Sequence, residues 1–230
     1  MKAIVLAGGL GTRLKERIAD IPKPMAPVGE RPFLEYLLDQ LIIGGINEII
    51  LSVGFRADVI IDHFGESYRN ASLSYAVETE PLGTGGAIVH AMQEHITDPV
   101  IVLNGDTFLN IDYRSFLQWY STAHADVAMI LRDVPDASRY GSVTVTNGRV
   151  SGFKEKCVEG AGLINAGIYI INPGSLKSFD LPNRFSFETD FLQRYYSKIP
   201  IKAYITNAYF IDIGIPDDYD RAQQELPLIT

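Results

Sequence analysis

Asp106, in LNGDTF, and Asp212, in YFIDIG, each close a strand-like apolar run, which puts both carboxylates at strand ends. Two acids so placed, far apart in the sequence, suit a magnesium ion, which takes a few carboxylates plus phosphate oxygens. A lone Asp at Asp106 has a second use, as a cap for the segment that follows. An anion to go with the metal is suggested near the start of the chain. LAGGLGTRL (residues 6–14) puts three glycines, a threonine and Arg13 directly after the first apolar run. Glycine permits close backbone approach, so Gly8, Gly9 and Gly11 make a loop that a ligand can press against. Its N–H groups, with Arg13 beside them, form a site for an anion. In IPKPMAPV (residues 21–28), Lys23 stands between two prolines that stiffen the segment. A lysine held there reads as a phosphate clamp, although a loop lysine is more often simply solvated.

The loop matches neither common phosphate motif. It lacks G-x-x-x-x-G-K-[ST]. Gly9-Leu10-Gly11 opens a dinucleotide fingerprint, but Leu14 stands where the last glycine belongs, which counts against a nicotinamide-dependent oxidoreductase. Taken alone, a glycine turn of purely structural purpose remains open.

The elements that must position these groups alternate. KAIVLA is a continuous apolar run, as in a strand buried on both faces. PFLEYLLDQLIIGG sets Phe33, Leu34, Leu37, Leu38, Leu41 and Ile42 on one helical face, with proline at its start and Gly-Gly at its end. NEIILSVGF, LSYAVE and PVIVLNGD read as further strands, and ADVIIDHFG and GTGGAIVHAMQEHI as helices. This rhythm predicts a Rossmann-like, mostly parallel α/β sheet flanked by helices. After residue 130, Asn147-Gly148 between two strand-like runs predicts a small accessory β-hairpin region. GLINAGIYIIN, IKAYIT and YFIDIG read as late strands, and FETDFLQRYYSKI and PDDYDRAQQEL as helices. With no linker or repeat in view, one domain over 1–230 is expected: a nucleotide-binding half to about 130 and an accessory half from about 131.

Composition limits the partners. The net charge is −8, from 20 basic and 28 acidic residues, which disfavours nucleic acid as a partner. Cys157 is the single cysteine, excluding an intramolecular disulfide and a multi-cysteine zinc cluster. No apolar stretch suits a bilayer and Met1 leads into a strand, so no membrane association is expected and the cytoplasm is the expected compartment.

LAGGLGTRL followed by PKPMAPV and PFLEYLL resembles the signature of the sugar-1-phosphate nucleotidyltransferases. These enzymes join a nucleoside triphosphate to a sugar 1-phosphate and release pyrophosphate, on the nucleotide-diphospho-sugar transferase type of fold. The resemblance runs to about residue 220. It implies nucleotide contacts from Leu6, Ala7, Gly8, Gly9, Gly11 and Thr12, and from Glu80, Gly83 and Thr84 in EPLGTGGA. It assigns Mg²⁺ to Asp106 and Asp212, and the catalytic cations to Arg13, Lys23 and Lys156. GFKEK resembles the segment in which Glu155 touches the sugar and Lys156 holds its phosphate; Cys157 replaces the proline often found next. LINAGIY resembles the strand giving Asn165 and Gly167 to the sugar pocket, and Gly141, after Tyr140, sits where a sugar-facing loop is expected. The implied chemistry needs no protein nucleophile, since the sugar phosphate is already anionic; positioning and charge neutralisation suffice.

Thymidylyl and uridylyl members often have glutamine where this chain has Glu80. A carboxylate can accept from guanine N1–H and N2–H together, although Glu80 could equally be a solvated loop acid. EPLGT is similar to the guanylyltransferase branch, making GTP the expected nucleotide. RYGSV, FSFETDFLQ and YFIDIGIPDDY together resemble bacterial guanylyltransferases of D-glycero-D-manno-heptose 1-phosphate, which feed surface-polysaccharide assembly. Mannose 1-phosphate is the close alternative, followed by a uridylyl- or thymidylyltransferase of a hexose 1-phosphate. A homo-oligomer is compatible with this reading. A non-catalytic nucleotide-sugar sensor is the reading from another class; it predicts decay at Arg13, Lys23, Asp106, Lys156 and Asp212, all of which are present.

Overall fold

Alternate residues of the first strand, β1 (Ala3–Leu6), serve two different cores: Ala3 and Val5 pack into one, Ile4 into the other. The computed structural model describes residues 1–9, 11, 14, 18, 21–92, 96–154 and 160–229. β2 (Pro27–Val28) and β3 (Arg31–Pro32) form a short ribbon that leads into α1 (Phe33–Ile43). β4 (Glu48–Val53), α2 (Ala57–Phe64), β5 (Ser67–Tyr68) and β6 (Ala71–Val77) follow, then α3 (Gly83–Met92), β7 (Val100–Asn104) and β8 (Thr107–Leu109). The second half runs α4 (Tyr113–Ala123), β9 (Val127–Val134), β10 (Ser142–Thr146), β11 (Arg149–Lys154), β12 (Gly162–Ile171) and α5 (Pro173–Lys177). A π-helical turn (Phe187–Leu192) leads into α6 (Gln193–Tyr195), followed by β13 (Ile201–Thr206), β14 (Phe210–Asp212) and α7 (Pro216–Ile229).

One ten-stranded sheet has the order β10-β11-β13-β9-β12-β7-β1-β4-β6-β5. The strands β6-β4-β1-β7 are mutually parallel, as the apolar runs predict. Beyond β7 the sheet is mixed: β12 is antiparallel to both β7 and β9, while β9 and β13 are parallel. Two-sided burial persists through the centre, with Ile101 and Leu103 on the α1 side and Val100 and Val102 on the α3 side. α1, α2, α4 and α7 cover one face, through Phe33, Phe64, Phe116 and Leu226. α3 and the π turn cover the other, through Ile88 and Phe187. Among the described residues no helix is long and apolar enough to cross a membrane.

The hairpin forms at Asn147-Gly148, both with positive φ (52° and 71°), the I′ geometry that the pair favours. It is not detached: β11 meets β13 and β10 meets β12, so the accessory region is the sheet's own edge. α4 and β9 carried no sequence expectation, although Asp112 caps α4 by accepting from the Arg114 N–H. FETDFLQRYYSKI, read as an ordinary helix, opens as a π turn capped by Ser186, with the Phe187 and Phe191 rings stacked 5.3 Å apart.

Candidate active site

The parallel strand order reverses at β1, which lies between β4 and β7, and open α/β sheets bind ligands at the carboxyl ends of the strands at such a point. A cleft of about 650 Å³ opens there. It is lined by Leu6, Gly8, Gly9 and Gly11 of the first loop, by Glu80, Gly83 and Thr84, and by Lys23 and Asp106. Ala7 is buried beneath the glycine loop, its N–H donating to the Ser52 carbonyl at 2.7 Å. Thr12, Arg13, Glu155 and Lys156 lie outside the described residues.

The glycine at position 8 is required by space. A Cβ there would stand 2.6 Å from Glu78 Oε1 and 3.1 Å from the Gly54 nitrogen. Glu78, which the sequence reading passed over, ends the β6 edge of the cleft: it accepts from the Ser52 hydroxyl at 3.2 Å and from the Leu82 N–H at 3.1 Å. Both its oxygens are thus engaged in shaping the loop that carries Glu80, while Glu80 itself extends from the exposed rim.

Lys23 is buried on a short 3₁₀ turn, a conformation that its flanking prolines favour. Its ammonium donates to Asp106 Oδ2 at 2.7 Å and lies 3.7 Å from Asp212 Oδ1. What brings the second carboxylate in is a two-stranded ladder between β8 and β14, pairing Asp212 with Thr107 and Ile211 with Phe108. The Ile213 N–H then donates to the Asp106 carbonyl at 3.0 Å, tying the two acidic turns together. A buried ammonium between two carboxylates is a strong local field, and removing one partner from such a group is far costlier than its presence is stabilising.

β12 bulges between Asn165 and Tyr169, and Gly167 at its crest has φ 71°, with a Cβ position only 2.6 Å from Asn104 Nδ2. Asn165 secures the bulge: its Oδ1 accepts from the Gly167 N–H at 3.0 Å and its Nδ2 donates to the Tyr169 hydroxyl at 2.6 Å. Asn104, at the crest's contact, lines the cleft. Gly141 lies at the hairpin's base, its Cβ position 3.1 Å from the Lys154 carbonyl. Its neighbours anchor that loop to β14 and α7: the Tyr140 ring meets Phe210 at 6.1 Å, and Arg139 pairs with buried Asp218 of α7. Burial is the main influence raising the Tyr140 phenol above its ordinary value.

The wall around Thr84 is closed by the segment before the π turn. The Gly85 N–H donates to the Phe185 carbonyl at 3.0 Å, and a Cβ on Gly85 would stand 2.1 Å from the Phe185 ring. Gly85→Ala is therefore expected to destabilise the protein by about 1–3 kcal/mol through overpacking. Urea unfolding checks this; unchanged stability would mean that the segment moves aside freely.

A glycine loop at the switch point, with Lys23 and Asp106 lining the cleft and Asp212 close to the lysine, defines an α/β protein built to receive a phosphorylated nucleotide. The chain belongs to the nucleotidyl transferase family, whose profile matches residues 2–227. It is 42% identical over 98% of both chains to a D-glycero-alpha-D-manno-heptose 1-phosphate guanylyltransferase of Aneurinibacillus thermoaerophilus. It is 44% identical to a protein of the same description from Campylobacter jejuni subsp. jejuni, over 95% of this chain and 97% of that one. HddC from Yersinia pseudotuberculosis, in a crystal structure complexed with GMP-PN, superposes with a TM-score of 0.86 at 41% identity, covering 98% of this chain and 99% of that one.

Proposed function

We propose that this protein condenses GTP with D-glycero-α-D-manno-heptose 1-phosphate, giving GDP-heptose and pyrophosphate. The observation that carries the reading is the Lys23–Asp106 pair, with Asp212 beside it, in the cleft lined by the glycine loop and the Glu80 loop. Full-length likeness to two heptose 1-phosphate guanylyltransferases, and to a structure holding GMP-PN, supports the choice of sugar and base.

An anionic oxygen of the sugar phosphate attacks the α-phosphorus of GTP in line, and the bond from that phosphorus to the bridging oxygen breaks as pyrophosphate leaves. No general base is needed. The obstacle is bringing two polyanions together, and it is met by positioning and neutralisation. The loop amides of Gly8, Gly9 and Gly11, with Arg13, receive the departing phosphates. Lys23 faces the α-phosphate, Lys156 serves the sugar phosphate, and Glu155, Asn165, Gly167 and Gly141 serve the sugar. Asp106 and Asp212 fit Mg²⁺: both reach one buried cation already, and the ion needs only one or two carboxylates beside phosphate oxygens. When bound, Mg²⁺ supplies charge neutralisation to the triphosphate. GDP-heptose, made in the cytoplasm where GTP is, serves as an activated donor for lipopolysaccharide, capsule or S-layer glycan.

Pyrophosphate release, measured for GTP, UTP and dTTP against heptose 1-phosphate and mannose 1-phosphate, tests this reading. GTP with the heptose should give the highest kcat/KM; a pyrimidine triphosphate or a hexose in first place overturns it. Glu80 is the carboxylate available for the base, since Glu78 is engaged by Ser52 and Leu82. Bidentate acceptance from guanine is worth about 1.5–3 kcal/mol, roughly a ten- to hundredfold preference over pyrimidines. Glu80→Gln should erode that ratio; a GTP-to-UTP ratio that does not move removes Glu80 from base recognition.

A further inference from the structure

Thr84 lines the cleft, and its hydroxyl donates to Glu188 Oε2 at 2.6 Å. The same hydroxyl accepts from the Phe187 N–H at 2.9 Å, so the start of α3 and the π turn are joined in both directions. The Ser186 hydroxyl adds a second donor to Glu188 Oε2 at 3.0 Å. The other oxygen, Oε1, accepts from the Tyr169 hydroxyl at 3.3 Å. Tyr169 is fully buried with its ring edge-on to Phe187, and its oxygen in turn accepts from Asn165 Nδ2. One carboxylate thus terminates two hydrogen-bond arms, one from the base loop and one from the bulged strand. A π turn is rare, and here its widened backbone presents Glu188 to both arms at once.

We infer that Glu188 is a positioning residue that holds the nucleotide loop at Thr84 and the sugar strand at Asn165 in one fixed relation, so that both substrates depend on it although it does not line the cleft. This rests on the reading above that the Thr84 wall receives the nucleotide and the β12 bulge the sugar. A carboxylate suits the task because it accepts at both oxygens, whereas an amide accepts at one only. A hydrophobic replacement would leave the buried Tyr169 hydroxyl and the Thr84 hydroxyl without this acceptor.

The experiment is steady-state kinetics with a melting curve for wild type, Glu188→Gln and Tyr169→Phe. Glu188→Gln should raise KM for GTP and KM for the sugar phosphate together, each about tenfold, as expected for weakening a bond to a charged acceptor. Tyr169→Phe keeps the ring on Phe187 and cuts only the sugar arm. It should raise KM for the sugar phosphate severalfold and leave KM for GTP within twofold. A lowered Tm with both KM values of Glu188→Gln at the wild-type level overturns the inference, as does a change in the GTP value alone. Should Glu188→Gln fail to fold, Tyr169→Phe decides by itself: a selective sugar effect supports the coupling, and none overturns it. Wild-type turnover of GTP with heptose 1-phosphate tests the functional reading, and the variants are compared on whichever substrate pair the wild type turns over, so the two failures stay separate.

Discussion

Asp106→Asn is expected to lower kcat by roughly 10²–10³, the usual consequence of deleting one preorganised electrostatic group at a phosphoryl-transfer site. Asparagine keeps the shape and an acceptor oxygen for the Lys23 ammonium, now 2.7 Å from Asp106 Oδ2, so the fold should survive. What it lacks is the negative charge that draws a hard cation. The defect should therefore be deepest at limiting magnesium and partly relieved at high concentration. Pyrophosphate release across a magnesium titration measures it. Wild-type activity at limiting magnesium would take Asp106 out of the metal site.

Lys23→Met is expected to fail twice, in rate and in stability. The rate should fall by roughly 10²–10³ for loss of the cation proposed to face the reacting phosphates. The stability loss follows from position: Lys23 is buried, and its ammonium stands between the Asp106 and Asp212 carboxylates. The two carboxylates left behind are partly solvated, so losing the ammonium costs about 1–3 kcal/mol, on the order of 5 °C in Tm for a chain of this size. Mg²⁺ added without nucleotide should restore part of that Tm in the variant and shift the wild type little, since a divalent ion can take the ammonium's place. A lysine that clamped substrate from a solvated loop would leave Tm untouched. An unchanged Tm in Lys23→Met would restore that simpler picture, and unchanged kcat would remove the lysine from the reaction.

The parallel strands were legible because burial on both faces leaves an unbroken apolar run, as in KAIVLA and PVIVLN, and Asn147-Gly148 announced its own turn. The cleft was legible for a related reason: glycine loops and strand-end acids are local signals, and the sheet brings them together. What stayed hidden is long-range. Nothing near Asp212 says that β14 will pair with β8, because three-residue strands leave no periodicity to read. Glu188 was hidden in the same way. FETDFL carries an ordinary helical pattern, and only its contacts with Thr84 and Tyr169, distant in sequence, give the carboxylate a purpose. Glu78 escaped because Glu80, two residues on, carried the family resemblance, while the Ser52 and Leu82 contacts that occupy Glu78 exist only in the fold.

The β8–β14 ladder also sets a timetable. A ribosome that has delivered everything up to β13 has already supplied the glycine loop, Lys23 and Asp106, and only then comes the strand that ends at Asp212. Closing so long a stretch of chain carries an entropic penalty, and contacts between sequence-distant residues form late. α7 adds a final latch, its Tyr219 hydroxyl donating to the Pro27 carbonyl at 2.6 Å, a few residues beyond the lysine. A nascent chain that has not yet reached β14 therefore holds the anion loop without the completed acidic pair. Competence to act on a nucleotide waits on β14, the strand that completes the acidic pair.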